Sequence, residues 1–432
     1  MVLSRENRSR RRFLAEAAAA LAAPLDANAE TRVRIAVIGV GGRGTAVLRT
    51  SLAMGGVEVA ALCDIRPEAV NRGIDLVQTH SAGKPATYTN GPTDYRRMLL
   101  RDDFDAVFVT GPAVLHGPMA IAALRARKWV FSEVPASHSI EEGWELIRAA
   151  EESSAGYFLA ENYCFSRNNL MILRMVEEGL FGKLTFAEAG YIHNTRNLQF
   201  NDDGSLTWRG EENSDPSLRG NTYPTHSLGP VCQAMGINRG DRFTTCVSMS
   251  TPAYGFHNYA ARRFGPSSAP AKIDTWNGDN SLTLIRTESG AVVYLRFDNA
   301  SPRPHRMGFY TLQGTKGGCD DERGVYVDYQ SKGWEPFAEH YSRYDHPYWL
   351  RNAEKAKTAG HSGGDYFTLQ HFYRSVREKT MPGIDVYDAV TWSALTPLSA
   401  MSLKQNSAPQ AVPDYTSGKW KTRKRFDWAA QG

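Results

Sequence analysis

The sequence predicts an α/β protein with two folded domains: an N-terminal doubly wound parallel sheet, and a C-terminal α+β domain with an open, mainly antiparallel sheet. To about residue 162, short β-branched and apolar runs alternate with helical patterns, as in a parallel sheet covered by helices on both faces. Beyond that point, long alternating strand candidates follow one another without crossover helices. The chain of 432 residues is long enough to bury a core in each domain.

The individual elements follow from hydrophobic periodicity. In the first domain we expect strands over residues 33–38, 57–63, 105–110, 129–133 and 157–162, with helices over 94–99, 118–127 and 140–153. In the second we expect a helix over 170–178, strands over 184–193, 243–250, 281–286, 291–297 and 306–314, and two late helices near 366–378 and 389–404. The late helices are expected to return against the first domain. The predicted boundaries are 30–162 for the first domain, 163–405 for the second and 406–432 for a C-terminal tail.

The turn after the first strand candidate contains a glycine pattern. It reads Gly39-Val40-Gly41-Gly42-Arg43-Gly44, which satisfies G-x-G-x-x-G ahead of a helical segment. Glycine lets the backbone approach a pyrophosphate, and a helix N-terminus offers it unpaired N–H groups. Asp64 ends the second strand candidate, where a carboxylate accepts from a ribose 2′-hydroxyl. The pattern predicts a dinucleotide site that prefers NAD, because a carboxylate repels the 2′-phosphate of NADP. The nearby Arg66, a positively charged residue, leaves NADP as the alternative cofactor.

The N-terminus carries an export pattern. Ser9-Arg10-Arg11-Arg12-Phe13-Leu14 resembles the twin-arginine signal S-R-R-x-F-L, an alanine-rich segment follows, and Ala27-Asn28-Ala29 fits an A-x-A cleavage site. We therefore expect a signal peptide over residues 1–29 and a periplasmic or otherwise exported protein. The alternative is a basic tail ahead of a cytoplasmic enzyme.

Composition excludes several classes of function. The net charge of +4 is too small to indicate a nucleic-acid partner. Five cysteines are widely spaced without a C-x-x-C, which argues against a zinc site or a disulfide framework and favours buried small hydrophobes. No cluster of His, Cys and carboxylates has the spacing of metal ligands, and no run after the signal is apolar enough to span a bilayer. The open sheet could serve a homo-oligomer interface.

A dinucleotide fold followed by an open-sheet domain resembles the Gfo/Idh/MocA oxidoreductases. In that family the lysine of a strand-end E-K-P motif acts as acid and base for hydride transfer at a sugar hydroxyl. The corresponding triplet here is Glu133-Val134-Pro135, and a valine cannot move a proton.

The same departure marks a narrower family that this sequence resembles over most of its length, glycoside hydrolase family 109, the NAD-dependent α-N-acetylgalactosaminidases. The resemblance rests on strings in the family's order, among them the segments 88–99, 133–136, 180–182, 191–193, 223–226, 237–243, 301–304 and 314–317. It implies redox-assisted elimination: NAD takes hydride from C3 of the sugar, a base removes the C2 proton, the C1 substituent leaves, water adds and the hydride returns. Such enzymes stand outside the two-carboxylate scheme.

The resemblance also implies site residues beside the glycines of the turn (Gly39, Gly41 and Gly44). The cofactor site should include Gly42, Arg43, Asp64, Ala113, Val114, Leu115, His116, Glu133, Val134 and Asn162. The sugar site should include Tyr191, Arg209, Tyr223 and His226, with His305 standing where the family has a sugar-contacting tyrosine. We expect proton transfer by His226 with Tyr223 and Tyr191, because imidazole and phenol both pass protons, and Glu133 is the further catalytic candidate.

Each of these residues has a structural alternative. His226 could be a satisfied core histidine, Tyr191 could simply pack inward, and His116 could cap a helix. Arg209 could pair on the surface with Glu211 or Glu212, and Glu133 could position the cofactor without proton work. At the level of the whole chain, the alternatives are a periplasmic sugar oxidoreductase with tightly bound NAD, against which Val134 speaks, and a catalytically silent sugar-binding protein.

Overall fold

In the computed structural model, residues 32–426 are described, so the expected signal peptide lies outside the described residues. The first domain is built on a six-stranded parallel sheet in the order β3-β2-β1-β4-β5-β6. Its strands are β1 Val33–Ile38, β2 Val57–Cys63, β3 Ala86–Tyr88, β4 Ala106–Val109, β5 Trp129–Ser132 and β6 Tyr157–Leu159. The order reverses between β1 and β4, which places a ligand crevice at their carboxyl ends. The doubly wound prediction is confirmed.

Helices cover both faces of this sheet. They are α1 Gly42–Met54, α2 Pro67–Gln78, α3 Asp94–Met98, α4 His116–Arg125 and α5 Ile140–Glu152. The predicted helices and strands of this domain are all present within a few residues of their expected ends. The short strand β3 was not predicted, because three half-buried residues carry no readable period.

The second domain contains an eight-stranded sheet in the order β13-β12-β11-β7-β10-β9-β8-β14. Its strands are β7 Leu184–Ile192, β8 Phe243–Ser250, β9 Asn280–Thr287, β10 Val292–Asp298, β11 Arg306–Gly314, β12 Gly317–Asp320, β13 Gly324–Val327 and β14 Gln410–Ala411. Only β7 and β10 pair in parallel, so the sheet is mainly antiparallel as predicted. The five long strands were predicted, whereas β12, β13 and β14 were not, since each has four residues or fewer.

The remaining helices are α6 Arg167–Glu177, α7 Trp208–Ser214, α8 Thr225–Met235, α9 Tyr254–Phe264, α10 Phe337–Tyr344, α11 Pro347–Ala356, α12 Gly364–Glu378, α13 Val386–Ser393 and α14 Leu395–Lys404. Helix α12 returns against the first domain as expected, with the ring of Phe372 5.4 Å from that of Phe131 on β5.

The prediction of one late helix over 389–404 was wrong. The segment forms α13 and α14, because Pro397 has no N–H to bond the carbonyl of Ser393 and is tolerated only in a first helical turn. Helix α13 packs on α5 of the first domain, whereas α14 packs on β8, where the backbone N–H of Ser248 donates to Ser402 Oγ at 2.9 Å.

The larger of two hydrophobic clusters runs through both domains, and a smaller one packs around Phe200, Phe256 and Trp276. All five cysteines are buried with free thiols, as predicted. Within residues 32–426, the helices are too short or too polar to cross a bilayer.

The glycine turn gives a first testable prediction. A Cβ atom at Gly44 would lie 1.9 Å from the carbonyl oxygen of Gly39, whereas a Cβ at Gly42 meets nothing within 4 Å. Gly44→Ala should therefore lower the free energy of unfolding by at least about 2 kcal/mol, because α1 must move away from β1. The matched control Gly42→Ala should change it by less than about 1 kcal/mol. Denaturant unfolding of both NAD-free variants measures this, and equal losses would contradict it.

Candidate active site

The turn between β1 and α1 presents an open backbone at the crevice. Gly39 adopts φ +89°, and a Cβ there would lie 2.6 Å from the backbone nitrogen of Gly111, so only glycine fits. Gly41 stands as the N-cap of α1 without a side-chain cap, which leaves the first N–H groups of a 13-residue helix directed at the crevice. Gly42 faces open space. This geometry suits a pyrophosphate.

Asp64 lies at the carboxyl end of β2, as predicted. One carboxylate oxygen accepts from the backbone N–H of Val40 at 2.8 Å and the other from the backbone N–H of Arg66 at 3.0 Å. The Arg66 side chain also donates to Asp64, from Nε at 3.3 Å. Asp64 therefore holds the glycine turn against β2 while its carboxylate borders the position expected for a ribose.

Arg43, whose side chain is 27% exposed, joins two carboxylates. Its Nε donates to Glu133 Oε1 at 2.8 Å, and its two terminal nitrogens donate to the Asp365 carboxylate at 2.7 and 2.8 Å. Asp365 also accepts from Asn162 Nδ2 at 2.9 Å and lies 3.1 Å from His361 Nδ1. The network joins the glycine turn, the ends of β5 and β6, and the first turn of α12 around one carboxylate.

The charge state of this network follows from its contacts. Burial raises the pKa of Asp365, but hydrogen bonds from Arg43 and His361 and their positive charge outweigh burial and hold that pKa far below its usual range. Asp365 is therefore a carboxylate throughout the physiological pH range, and its negative charge offsets the positive charge of the Arg43 guanidinium.

The lowered pKa of Asp365 predicts that the free energy of unfolding decreases in acid. Unfolded Asp365 titrates near ~3.9, so its ionic contribution is fully present above about pH 5 and is lost as the pH falls from there toward the lower folded pKa. The stability advantage of wild type over Arg43→Met, measured as the difference in free energy of unfolding, should shrink as the pH falls, because the buried carboxylates of the variant lack their cation and take up protons at a higher pH than Asp365 of the wild type. Denaturant titrations at several pH values measure it, and a difference that grew on acidification would contradict the pairing.

A second cluster stands at the end of β6 and the start of α8. His226 Nδ1 lies 2.8 Å from Glu161 Oε1, and Glu161 is fully buried. On the other side of the ring, His226 Nε2 lies 3.3 Å from the hydroxyl of Tyr223. The buried carboxylate orients the Nδ1–H tautomer, which leaves Nε2 to exchange protons with the phenol or with a substrate. This is the arrangement of a general base with its orienting group.

Two more tyrosines enclose the imidazole of His226. The ring centroids of Tyr163 and Tyr191 lie 4.7 and 5.1 Å from that of His226, and Tyr191 lies 5.1 Å from Tyr223. Burial raises the pKa of Tyr163 to about 12 and raises those of Tyr191 and Tyr223 further. All three hydroxyls therefore keep their protons near neutral pH and act as donors.

Histidines and an arginine form the outer wall. The Tyr191 hydroxyl lies 2.9 Å from His193 Nδ1, and the His193 ring is 4.7 Å from that of the exposed His305. Burial lowers the pKa of His193 to about 4, and His305 contributes in the same direction, so His193 is neutral near pH 7. The Arg209 guanidinium lies over the Trp208 ring at 4.4 Å and makes no ion pair among the described residues.

The other predicted cofactor residues lie along the same edge. Residues Ala113–Leu115 form a 3-10 turn after β4, in which Val114 and Leu115 expose apolar surface. Val134 is buried beside Glu133. His116 has one ring nitrogen 2.9 Å from the carbonyl of Pro135 and the other 3.0 Å from that of Gly111. It therefore braces the loops after β4 and β5 and does not offer a ring nitrogen to the crevice.

Four residues of this site were not predicted: Glu161, Tyr163, His361 and Asp365. Glu161 precedes the predicted Asn162 at a strand end, and that position was the available signal. For His361 and Asp365 the signal in the sequence was the glycine-rich segment 360–365. In the structure, His361, Ser362 and Gly363 of this segment all adopt positive φ. Non-glycine residues in that region cluster at functional sites.

The described residues fit a dinucleotide on three counts. The glycine turn is open where a Cβ would block a pyrophosphate, and apolar side chains are left exposed at the carboxyl ends of the strands. The third count is Asn162, which is 1 % exposed and whose Oδ1 has no hydrogen-bond partner in the described structure. A buried unpaired amide oxygen is rare, and an amide N–H of a nicotinamide is a donor that would satisfy it.

Two family models match successive parts of the chain. The model for the oxidoreductase family with an NAD-binding Rossmann fold matches residues 33–160, and that for the glycosyl hydrolase 109 C-terminal domain matches residues 165–422. A glycosyl hydrolase family 109 protein of Stenotrophomonas maltophilia is 37% identical, over 96% of this chain and 97% of its own length. An α-N-acetylgalactosaminidase of Tannerella forsythia is 35% identical, over 90% of this chain and 87% of its own.

Solved structures share the fold at low identity. Levoglucosan dehydrogenase in complex with NADH and L-sorbose has a TM-score of 0.69 and 18% identity, and the match covers 89% of this chain and all of that chain. Myo-inositol dehydrogenase from Lactobacillus casei has a TM-score of 0.61 and 16% identity, over 88% of this chain and 97% of that chain. Together, the family models and the relatives show that this chain is a glycosidase-type enzyme with an NAD-binding domain, and that it belongs to glycosyl hydrolase family 109.

Proposed function

We propose that this protein is an exported, NAD-dependent glycosidase that removes a terminal α-linked N-acetylgalactosamine or a closely related sugar. The observation that carries the proposal is the buried Glu161–His226–Tyr223 chain beside the edge of the parallel sheet, in a protein whose E-K-P position holds Val134. The chain has a cluster suited to acid–base chemistry, but it lacks the E-K-P lysine that serves simple alcohol oxidation in the oxidoreductases. The name of the Tannerella forsythia relative supports the choice of sugar.

Residues of the first domain would hold the cofactor. The glycine turn would receive the pyrophosphate, Asp64 the ribose, and Asn162 Oδ1 the carboxamide of the nicotinamide. When bound, NAD supplies reversible acceptance of a hydride at C3 of the sugar. Arg43 Nε donates to Glu133 Oε1 at 2.8 Å, which would hold that carboxylate in place at the edge where the cofactor would bind.

The cluster around His226 would carry the proton transfers. With C3 at the ketone level the C2 proton is acidic, and His226 accepts it, assisted by the hydroxyl groups of Tyr223 and Tyr191, which stay protonated. The C2–H electron pair forms the C1–C2 double bond while the C1–O pair leaves with the aglycone oxygen. Water then adds at C1, and the same cluster returns a proton to C2. Glu161 orients His226 through both halves of the cycle.

Export of the folded protein fits this chemistry. A twin-arginine signal over residues 1–29 would carry the folded enzyme with its cofactor already bound. Because the hydride is returned in each cycle, no external oxidant is needed after export. We therefore expect purified mature protein to contain NAD, released on denaturation.

The test is incubation of the folded protein with p-nitrophenyl α-N-acetylgalactosaminide in D₂O without added cofactor, with NMR at C2 of the product. We expect release of p-nitrophenol together with deuterium at C2. Release without deuterium would overturn the elimination mechanism. Net oxidation of free sugar with a stoichiometric acceptor would replace the glycosidase with a sugar oxidoreductase, and sugar binding without turnover would replace it with a binding protein.

A further inference from the structure

A cavity of about 540 Å³ adjoins the cluster around His226. Its wall is formed by α6, β11 and the loop before α12, and includes Tyr163, Asn168, Met307, Tyr310 and His361. The volume is that of a pocket for a ligand of a few hundred daltons. Tyr163 and His361 belong both to this cavity and to the cluster around His226, so the two spaces share a border.

The cavity contains an unsatisfied donor. Tyr310 is 4% exposed, and its hydroxyl has no hydrogen-bond partner in the described part of the chain. Burial raises the pKa of Tyr310 well above its usual value, so the hydroxyl stays protonated. A buried hydroxyl without a partner is costly, and a ligand that carries oxygen acceptors would satisfy it. Asn168 and Asp321 add polar groups to the wall.

His361 stands at the border with a free ring nitrogen. Its Nδ1 lies 3.1 Å from Asp365 Oδ2, and Asp365 is in turn held by Arg43. Its Nε2 makes no hydrogen bond in the described structure, and the side chain is 33% exposed. The ring centroid lies 6.2 Å from that of His226 and 6.0 Å from that of Tyr163. His361 is thus a second imidazole oriented by a carboxylate.

The spacing of the two imidazoles fits neighbouring atoms of one sugar. Each proton-transfer group must come within ~3 Å of its target, so groups that serve C2 and the oxygen on C1 stand several ångströms apart. His361 lines the cavity, whereas His226 does not.

We propose, on the basis of the glycosidase function proposed above, that the cavity holds the leaving aglycone, a hydroxylated group such as a second sugar unit, and that His361 protonates it. As the C1–O bond breaks, its electron pair goes to the glycosidic oxygen and the Nε2 proton of the His361 imidazolium moves to that oxygen. The neutral imidazole then takes a proton from the water whose hydroxyl adds to C1. Asp365 is the positioning residue for His361.

The test compares two leaving groups in the variant His361→Asn. Asparagine is chosen because position 361 has φ +52°, a conformation that asparagine tolerates. An α-N-acetylgalactosaminyl disaccharide has a poor leaving group and should lose at least about 100-fold in kcat/KM. The p-nitrophenyl glycoside needs no protonation and should lose less than about fivefold. NAD content and thermal midpoint should match the wild type, and His361→Gly is the second variant if His361→Asn does not fold.

Equal losses on both substrates would overturn the role of His361 while leaving the glycosidase function intact. If the wild type released neither aglycone and left C2 undeuterated, the glycosidase function and this inference would fall together.

The cavity has its own test in Tyr310→Phe, which removes only the unpaired hydroxyl. The KM for the disaccharide should rise by about fivefold or more, with a change of less than about twofold for the p-nitrophenyl glycoside. Tyr329→Phe is the matched control, since Tyr329 is 98% exposed, and should change neither value. An unchanged KM for the disaccharide in Tyr310→Phe would contradict the proposal that the aglycone binds in this cavity.

Discussion

Replacing His226 with glutamine should lower kcat by about 10³- to 10⁴-fold, the largest effect expected of any single substitution in this protein. Among the described residues, His226 is the imidazole that contacts both the fully buried carboxylate of Glu161 and the hydroxyl of Tyr223. A glutamine amide can still donate to Glu161, so the carboxylate is not left buried without a partner. The loss therefore reports the missing base more than a disturbed fold.

The measurement is kcat on the p-nitrophenyl glycoside together with deuterium incorporation at C2. Both should fall in parallel, while NAD content stays at the wild-type level. His257→Gln on α9 is the matched control, because the side chain of His257 lies outside the cluster around His226 and forms a hydrogen bond with the carbonyl of Ala271, and the kcat of this variant should stay within about twofold. If His226→Gln still exchanged the C2 proton with solvent, the role of the C2 base would be reassigned to Tyr223 or Tyr191.

Replacing Arg43 with methionine should have the largest effect on stability. Arg43 carries the positive charge between Glu133 and Asp365, whose side chains are only 9% and 5% exposed. Methionine keeps most of the volume but leaves two buried carboxylates without their cation. Removal of one partner from a buried ion pair costs about 3–5 kcal/mol, and we expect a loss of about 3 kcal/mol in the free energy of unfolding.

Denaturant unfolding of NAD-free protein measures this loss, and release of NAD on denaturation measures retention of the cofactor. We expect Arg43→Met to retain less NAD as purified, since Glu133 borders the cofactor edge. Arg49→Met is the matched control: Arg49 is exposed on the same helix α1, and its replacement should change stability by less than about 0.5 kcal/mol. Similar losses in both variants would show that the Arg43 network contributes nothing beyond helix propensity.

The parts that could be predicted from the sequence are those whose cause lies within a short segment. Hydrophobic periodicity predicted five of the six strands of the parallel sheet and the five long strands of the second sheet. The glycine turn and Asp64 were readable because one turn and one strand end contain the whole signal. The resemblance to the family identifies Tyr191, Tyr223 and His226 as site residues from residue order alone, without their contacts.

The parts that could not be predicted depend on contacts between distant segments. Arg43 and Asp365 are 322 positions apart, and each in isolation has the pattern of a surface charge. Their meeting depends on α12 docking on the first domain through Phe372, Phe108 and Phe131. The short strands β3 and β12–β14 were missed for a related reason: too few residues carry a period, and neighbouring strands supply the pairing.

By itself the sequence determined the two-domain α/β architecture, the dinucleotide turn and the family, because these are properties of local pattern and of residues in order. Only the tertiary structure decided which side chains act together. Packing brings Glu161 to His226, sets Asp365 between Arg43 and His361, and directs both nitrogens of His116 to backbone carbonyls. Proton transfer depends on distances of about 3 Å, and such distances arise only when the carboxyl ends of the strands, α8 and the start of α12 pack around one crevice.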